Sequence, residues 1–313
     1  MKPGLPNLCD SPTVPATRRS IFGNYRPPSS RRGEEAHSVT EISQSLLTSA
    51  PTGLSLQQSI DLAVARAFLH RVLAKAFEDP EPESLALLRR DETLASLGQA
   101  ATALGDDALA GLAADWHAAL LRESFDDYSA TCVACFGHTV RGDCPLNEIE
   151  YRDLNADPLF QPHRLADLCA FYAAFGLELA GDAGERLDHV SIELEFLSVL
   201  AAKEAFALEH QEDDDELALL RDAQRQFLRE HLGRWAPAFA LRLARRAAGT
   251  ALGALAAFAG HFIRAECARH GVTPGGEDLA LRPVNDAIER LCDSCGLAGH
   301  LPGAAAPDLA ETT

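Results

Sequence analysis

The sequence predicts an all-α protein, a single-domain bundle of roughly eight to ten helices. Three observations support this fold class. From Ser55 onward, apolar residues recur at helical spacing almost throughout. No alternating apolar and polar run of strand length competes with them. Alanine and leucine are abundant, whereas aromatic residues make up only 6% of the chain, which favours helices over strands.

The first predicted helix begins after Ser55 and ends at Asp79 and Pro80, because proline lacks the backbone donor that a helix needs. Its buried stripe is predicted to consist of Leu62, Ala65, Phe68, Leu69, Val72, Leu73 and Ala76. Further helices are predicted over 83–97, 106–122, 164–175, 186–209, 215–232, 237–270 with a break near Gly249 or Gly253, and 283–292. Together these helices predict a folded domain over residues 53–295.

The two ends of the chain are predicted to be flexible tails. Residues 1–52 hold seven of the 17 prolines and show no apolar periodicity. Residues 296–313 form the second predicted tail. Arg18 and Arg19 resemble the start of a twin-arginine export signal, but the polar residues after them do not supply its hydrophobic region. We therefore expect a cytoplasmic protein with no stable membrane insertion.

The charge of the chain argues against nucleic acid as a partner. The chain has 28 Lys and Arg against 46 Asp and Glu, a formal net charge of -18. This is the wrong sign for neutralising phosphates, whereas a basic peptide suits it. Eight cysteines without a secretory signal indicate reduced thiols in a cytoplasm.

One segment interrupts the helical pattern between residues 132 and 157, where it reads CVACFGHTVRGDCPLNEIEYRDLNAD. A loop of this length inside a compact domain is usually functional or disordered, and its Cys, Glu and Tyr content favours function. The pairs Cys132/Cys135 and Cys292/Cys295 are candidate ligands of a shared Zn²⁺, with reduced thiols or a reversible disulfide as alternatives. Cys169 and Cys267 lie in predicted helices and are expected to be buried packing residues.

A second candidate site lies at the start of the helix predicted over 186–209. Glu185, His189 and Glu193 are four residues apart and would share one helix face. Such a histidine could be a metal ligand, a general base, a recognition residue, or a member of an ordinary surface ion pair. Enzyme motifs such as GxSxG, GxxxxGK[ST] and HExxH are absent, and we expect no catalytic activity.

Several blocks taken together resemble the TorD/DmsD/NarJ family of maturation chaperones for molybdenum enzymes. The blocks are RGDCP at 141–145, EIEY at 148–151, FYAAFGL at 171–177, ERLDH at 185–189 with ELEF at 193–196, and Lys203-Glu204. Their order and spacing make the resemblance more specific than any one block does. It covers roughly residues 55–270.

The resemblance implies a helical bundle of the TorD/DmsD type that acts as a cytoplasmic chaperone. Such a protein binds the twin-arginine signal peptide of an apo molybdenum enzyme and holds that enzyme until its molybdopterin cofactor is inserted. The resemblance also implies that the chaperone needs no cofactor of its own and that it contacts the molybdopterin cofactor of its client. It implies a monomer or a dimer. The alternative function, from the CxxC pairs, is a thiol-based metal- or redox-handling protein acting as an enzyme or metal carrier.

The family's peptide-binding region maps onto Glu148, Tyr151, Asp188 and His189. An acidic groove agrees with this mapping, because a carboxylate can accept two charge-assisted hydrogen bonds from the guanidinium group of a leader arginine. A leader also needs an apolar surface, for which Phe171, Tyr172, Phe175 and Phe196 are candidates, with core packing as the alternative for each. The predicted signal-peptide-binding residues are Glu148, Glu150, Tyr151, Tyr172, Phe175, Asp188, His189 and Glu193. His189 is expected to titrate near its reference pKa of ~6.5.

Overall fold

The computed structural model describes residues 54–137, 141–152, 160–179 and 185–283. Within these ranges the chain is almost entirely helical, and the all-α prediction is confirmed. The helices are α1 (Leu56–Ala76), α2 (Pro82–Leu88), α3 (Asp91–Leu104), α4 (Asp107–Arg122), α5 (Phe125–Phe136), α6 (Phe160–Ala174), α7 (Val190–His210), α8 (Asp214–Glu230), α9 (Leu232–Arg246) and α10 (Ala251–Arg269). A 3₁₀ turn (Glu148–Glu150) and two short strands, β1 (Tyr151–Arg152) and β2 (Ala280–Leu281), complete the described elements.

The chain divides into one compact unit that ends at Ala280 and a second that begins at Leu281. Only residues 281–283 of the second unit are described. Both predicted tails, and all but the first residue of the helix predicted over 283–292, lie outside the described residues. The domain boundaries at 53 and 295 therefore stay predictions.

Helix α7 forms the centre of the first unit. All of its residues from Val190 to Ala201 are buried, and it packs against α1, α8 and α9. A helix that is apolar on every side must be surrounded by other elements, which explains this central position. Its carboxylates Glu193, Glu195 and Glu204 are buried with it and need partners from neighbouring helices.

Helix α1 begins where the sequence predicts. The Ser55 side chain accepts a hydrogen bond from the Gln58 backbone N–H at 3.2 Å, and the Gln58 side chain accepts one from the Ser55 N–H at 2.8 Å. This reciprocal pair is a capping box, which satisfies two donors that a helix start leaves free. The predicted stripe packs inward, with Leu69 and Leu73 fully buried.

A buried arginine joins four helices of the bundle. Arg66 of α1 donates through Nε to Glu266 of α10, through Nη1 to Glu204 of α7, and through Nη2 to Gln224 of α8. The Arg66 and Glu266 side chains are 3% and 0% exposed. Burial tends to lower the pKa of Arg66, but Glu266 and Glu204 outweigh it and the pKa is raised. The pKa values of Glu204 and Glu266 are lowered in turn by Arg66, so these three groups are charged in the interior. Arg66, Glu204, Gln224 and Glu266 are called the Arg66 network below.

Several predicted helix boundaries are wrong. The helix predicted over 83–97 is two helices, because the chain turns at Arg89 and Arg90 between α2 and α3. Helix α5 occupies the start of the segment predicted to be a loop from residue 132. Helix α6 begins at Phe160 rather than at residue 164, and α7 begins at Val190 rather than at residue 186.

Helix α9 also starts earlier than predicted, at Leu232, and continues through Pro237. Proline lacks an N–H, so the carbonyl four residues before it loses its helical partner. That carbonyl belongs to Gly233, and it accepts a hydrogen bond from the Gly275 N–H at 2.9 Å. A Cβ atom on Gly275 would lie 1.8 Å from the Arg234 carbonyl oxygen, so this close approach requires glycine.

None of the helices in the described ranges combines the length and the apolar character that crossing a bilayer requires.

Candidate functional site

Two segments that lie about 40 residues apart in the sequence meet beside the N-terminus of α7. The Val190 N–H donates to the Leu146 carbonyl at 2.9 Å, and the Glu148 N–H donates to the Asp188 carbonyl at 2.9 Å. Asn147 and His189 form a β-bridge between these two bonds. This pairing brings the Glu148 motif and the Asp188-His189 motif together at one place.

Glu148 is the centre of a buried charge cluster. His231 Nδ1 donates to Glu148 Oε2 at 2.9 Å, and Arg234 Nη2 donates to Oε1 at 2.9 Å. Arg164 Nη1 lies 3.6 Å from Oε1. Burial acts to raise the pKa of Glu148, but His231 and Arg234 outweigh it and lower the pKa. Glu148 is therefore an ionised carboxylate that two guanidinium groups already recognise.

Asp188 is a second buried carboxylate held by a guanidinium. Arg186 donates to it through Nε at 3.1 Å and through Nη2 at 3.2 Å, one bond to each carboxylate oxygen. The Ile149 N–H and the Asn147 side-chain amide donate to it as well. The Asp188 side chain is fully buried and that of Arg186 is 50% exposed, so Arg186 is the solvent-facing partner. Burial raises the pKa of Asp188, and Arg186 opposes that rise.

His189 is the N-cap of α7. Its Nδ1 accepts a hydrogen bond from the Ser191 N–H at 3.2 Å and lies 2.7 Å from Ser191 Oγ. The neutral ring therefore carries its hydrogen on Nε2, which lies 3.7 Å from Glu185 Oε2. Burial, together with the charge of Arg186, lowers the pKa of His189 to about 4. The expectation that His189 titrates near 6.5 is wrong, because protonation would place a charge in a buried site beside an arginine.

The lowered pKa of His189 predicts a specific acid sensitivity. In the unfolded chain the histidine binds a proton as pH falls through 6.5, whereas the folded chain does not until pH is about 4. The free energy of unfolding should therefore fall between pH 6.5 and 4, with His189 contributing on the order of 3 kcal/mol. Urea denaturation across this range measures the fall.

The control for this prediction is His189→Asn, because asparagine is a good N-cap that does not titrate. Its stability should fall less steeply between pH 6.5 and 4 than that of the parent protein. Equal slopes for the two proteins would show that His189 is not the group responsible. His270, whose pKa burial also lowers to about 4, contributes equally in both proteins.

Glu193 lies one turn into α7 and is fully buried. Trp235 Nε1 donates to Glu193 Oε2 at 3.1 Å, and Oε1 has no hydrogen-bond partner among the described residues. Burial and the charge of Glu148 raise the pKa of Glu193 well above its usual range. This rise in pKa favours the neutral carboxylic acid form of Glu193 beside the ionised Glu148. Glu185 precedes α7, so the predicted single helix face of Glu185, His189 and Glu193 does not form.

The predicted aromatic residues divide into core and boundary positions. The Tyr172 hydroxyl donates to the Leu187 carbonyl at 2.9 Å, and its ring packs against Phe196 with centroids 4.9 Å apart. Tyr151 is also buried and packs against Trp235 at 5.1 Å. Phe175 is half-buried, and its ring lies 5.8 Å from that of Phe196. The structure therefore supports core packing for Tyr172, Tyr151 and Phe196.

Glu150 lies apart from the Asp188 contact and pairs instead with Arg141. Arg141 Nη1 donates to Glu150 Oε2 at 2.6 Å. Arg141 directly precedes Gly142, whose N–H donates to the Phe136 carbonyl at the end of α5. A Cβ atom on Gly142 would lie 2.4 Å from the Cys135 carbonyl oxygen, so only glycine allows the segment to fold back this closely. The Glu150 pair fixes this turn.

Cys132 and Cys135 lie near the end of α5, and Cys144 lies beside them with its N–H donating to the Cys135 carbonyl. All three thiols are free and buried, and burial raises the pKa of Cys132 and Cys144 to about 12. No cluster of His, Cys, Asp or Glu side chains within the described ranges is arranged to hold a metal ion. Cys292 and Cys295 lie outside those ranges, so their predicted pairing stays untested.

Cys169 and Cys267 were both predicted to be buried packing residues. The prediction is correct for Cys267, which is buried, and wrong for Cys169, which is exposed.

The reactivity of the thiols should follow their burial. Thiols react as thiolates, so buried thiols of raised pKa should be inert. We expect iodoacetamide to modify Cys169 at least about 100-fold faster than Cys132, Cys144 or Cys267 at pH 7.5. Peptide mapping by mass spectrometry measures each site, with urea-unfolded protein as the control. Rapid modification of Cys132 would contradict the buried assignment.

The sequence alone did not reveal Arg164, Arg186, His231, Arg234 and Trp235 as members of the site. His231 and Arg234 lie more than 80 residues from Glu148, and no motif links them to it. The available signal was indirect: a helix with buried carboxylates requires cationic partners from elsewhere in the fold. Arg164 and Arg234 also make contacts other than those with Glu148.

The chain is similar in sequence to a protein family and to several known proteins. The protein-family model described as "Nitrate reductase delta subunit" matches residues 90–241, a range that contains Glu148, Asp188 and His231. The chain is 28% identical over 186 residues to a "Perchlorate reductase assembly chaperone protein" of Dechloromonas aromatica (strain RCB), an alignment that covers 58% of this chain and 78% of that protein.

Two further relatives align over shorter ranges. A "Selenate reductase assembly chaperone protein" of Thauera selenatis is 37% identical over 93 residues, which is 30% of this chain and 47% of that protein. A "Chlorate reductase assembly chaperone protein" of Ideonella dechloratans is 39% identical over 79 residues, which is 25% of this chain and 39% of that protein. The chain thus spans less than half of these two relatives. Together with the family match, they support the resemblance of the chain to the TorD/DmsD/NarJ family of maturation chaperones.

Proposed function

We propose that this protein is a cytoplasmic assembly chaperone for a molybdenum-containing reductase, and that it acts without catalytic turnover. It binds the twin-arginine leader of the apo subunit before export and holds that subunit while its molybdopterin cofactor is inserted. The relatives named above are assembly chaperones of perchlorate, selenate and chlorate reductases, which supports a client of this class.

One observation carries the assignment of the leader to the site. Glu148 and Asp188 are two buried carboxylates, brought together by the pairing of their segments. Guanidinium groups already bind both of them, with two bonds from Arg186 to Asp188 and one from Arg234 to Glu148. A pair of carboxylates that accepts guanidinium groups in this way suits a peptide with two adjacent arginines. The net charge of -18 favours the encounter with a basic leader.

The burial of these carboxylates requires an exchange of partners. Arg186 covers Asp188 from the solvent side, and Arg164 and Arg234, with side chains 14% and 18% exposed, cover Glu148. We propose that a leader arginine replaces Arg186 at Asp188 first, because Arg186 is half-exposed and so the easiest of the three to displace. The buried charge then stays paired throughout, which avoids the cost of an isolated carboxylate.

Titration with a synthetic leader tests this function. The probe is the leader of a molybdenum-reductase subunit encoded by the same host, compared with the same peptide carrying lysine in place of both arginines. Lysine cannot form the two-bond contact, so we expect at least a tenfold loss of affinity. Equal affinity for the two peptides, or no binding of the arginine peptide, would contradict the proposal.

Arg186→Gln should strengthen leader binding. The substitution removes the internal competitor for Asp188 and leaves that buried carboxylate without its arginine until the leader binds, so we expect leader affinity to rise roughly threefold or more. The matched control is Arg264→Gln, which removes a similarly exposed arginine paired with Glu277. Weaker binding by Arg186→Gln would indicate that Arg186 itself contacts the leader.

A further inference from the structure

One cavity among the described residues is separate from the Glu148 site. It has a volume of about 780 Å³ and lies between α1, α7, α8 and the end of α10. Its size falls within the range typical of sites for small organic ligands. Its lining combines arginines with apolar side chains, and no part of the proposed chaperone function uses it.

The cavity carries positive charge in a strongly acidic protein. Four arginines line it, namely Arg66, Arg221, Arg225 and Arg269. Three carboxylates oppose them: Glu204 and Asp222 in the lining, and Glu266 bound to Arg66. His270 also lines the cavity and is neutral, because burial lowers its pKa to about 4. The four arginines and three carboxylates give the cavity a net charge of +1, whereas the whole chain has a net charge of -18.

Three of these arginines keep donors free for a ligand. Arg221 contacts Glu204 through Nε at 2.8 Å, Arg269 contacts Glu266 through Nε at 3.5 Å, and Arg225 contacts Asp222 through Nη2. Each of them therefore uses one nitrogen on a carboxylate within the described part of the chain, whereas a guanidinium carries five N–H donors. Their side chains are 31%, 30% and 54% exposed, so a ligand in the cavity can reach them.

The floor of the cavity is rigidly built. Arg66 is bound on every nitrogen, by Glu266, Glu204, Gln224 and His270. Glu204 accepts bonds from Arg66, Arg221 and Gln224, which holds the Arg221 fork in place. A fixed donor geometry lowers the cost of ordering side chains when a ligand binds.

From this lining we infer that the cavity binds a small organic anion bearing a diphosphate group. Three guanidinium groups offer more donors than the two oxygens of a carboxylate accept, whereas a diphosphate supplies several oxygens and two or more charges. The apolar residues Leu54, Leu62, Ala63 and Ala218 line the same cavity and suit the organic part of the ligand.

Calorimetric titration of the full chain tests this site, with inorganic pyrophosphate, adenosine diphosphate, adenosine and sulfate as probes at constant ionic strength. We expect one molecule of adenosine diphosphate per chain, bound more tightly than pyrophosphate because of the apolar contacts. Adenosine and sulfate should bind at least tenfold more weakly than adenosine diphosphate. Equal binding of sulfate and pyrophosphate would indicate general attraction of anions and would overturn the inference.

The double variant Arg225→Gln/Arg269→Gln should lose at least tenfold of the adenosine diphosphate affinity. Arg264→Gln, an exposed arginine outside the cavity, should leave the affinity unchanged. Asp222→Asn removes an opposing charge and should strengthen binding. No binding of either phosphate probe at millimolar concentration, or equal binding by the double variant, would overturn the inference. Because leader binding is measured separately, either proposal can fail alone.

Discussion

Replacing Arg66 by methionine should lower the free energy of unfolding by about 3 to 5 kcal/mol. The substitution leaves Glu204 and Glu266 in the interior without their main cation, and both of these carboxylates are strongly buried. Arg221, Arg269 and His70 remain as their partners, but the two arginines are about a third exposed, and burial lowers the pKa of His70. Urea denaturation at pH 7 measures the loss.

The matched control is Lys75→Met on the same helix. Lys75 pairs with Glu78 one turn away, and both side chains are partly exposed, so its removal should cost less than about 1 kcal/mol. The triple variant Arg66→Met/Glu204→Gln/Glu266→Gln removes the charges together and should recover part of the stability. Equal losses for Arg66→Met and Lys75→Met would contradict the role of the Arg66 network.

Asp188→Asn should weaken binding of the twin-arginine leader by about 2 to 5 kcal/mol, which is roughly 30-fold or more. Asparagine keeps the shape of the side chain but accepts only one of the two hydrogen bonds that a guanidinium donates. Glu148→Gln should have an effect of similar size, because Glu148 is the second carboxylate of the site. Fluorescence anisotropy with a labelled leader measures both variants.

The control for Asp188→Asn is Asp214→Asn, which removes an exposed carboxylate at the start of α8. That change should leave leader affinity within about twofold of the parent protein, because exposed charges add little. Circular dichroism and thermal unfolding establish that Asp188→Asn is folded. Equal effects at Asp188 and Asp214 would contradict the assignment of the leader to this site.

Apolar periodicity predicted the fold class correctly, because helical spacing is a local property of the sequence. It also predicted α1 and α4 closely, since Ser55 and Asp106 are N-caps that mark their starts. Boundaries that depend on distant contacts were missed. Pro237 is typical of a helix start, yet α9 continues through it. The Gly233 carbonyl, which loses its helical donor to proline, accepts a hydrogen bond from the Gly275 N–H instead.

The candidate site shows the same division between local and distant information. The motifs that contain Glu148, Asp188 and His189 could be identified from sequence, and the structure places them together. Their burial could not be predicted, because it depends on His231, Arg234 and Trp235 from the α8–α9 region. The Arg66 network is equally hidden, since its members stand at positions 66, 204, 224 and 266 and meet only in the folded bundle.

Sequence spacing and burial give different indications for the first cysteine pair. Cys132-x-x-Cys135 has metal-ligand spacing, but both residues lie on α5 and are buried against neighbouring elements. Burial raises the pKa of both thiols, which opposes the thiolate form that a metal binds. Their burial therefore favours a packing role for these two thiols, and the predicted metal site with Cys292 and Cys295 stays a prediction.

The central claim is that this chain binds a molybdenum-reductase subunit through its leader. Affinity purification of the tagged protein from its own host under anaerobic respiratory growth, followed by mass spectrometry, tests this claim most directly. We predict that the parent protein recovers a molybdenum-enzyme catalytic subunit with its leader uncleaved, and that Asp188→Asn recovers far less. Recovery of no such subunit, or equal recovery by the two proteins, would contradict the account.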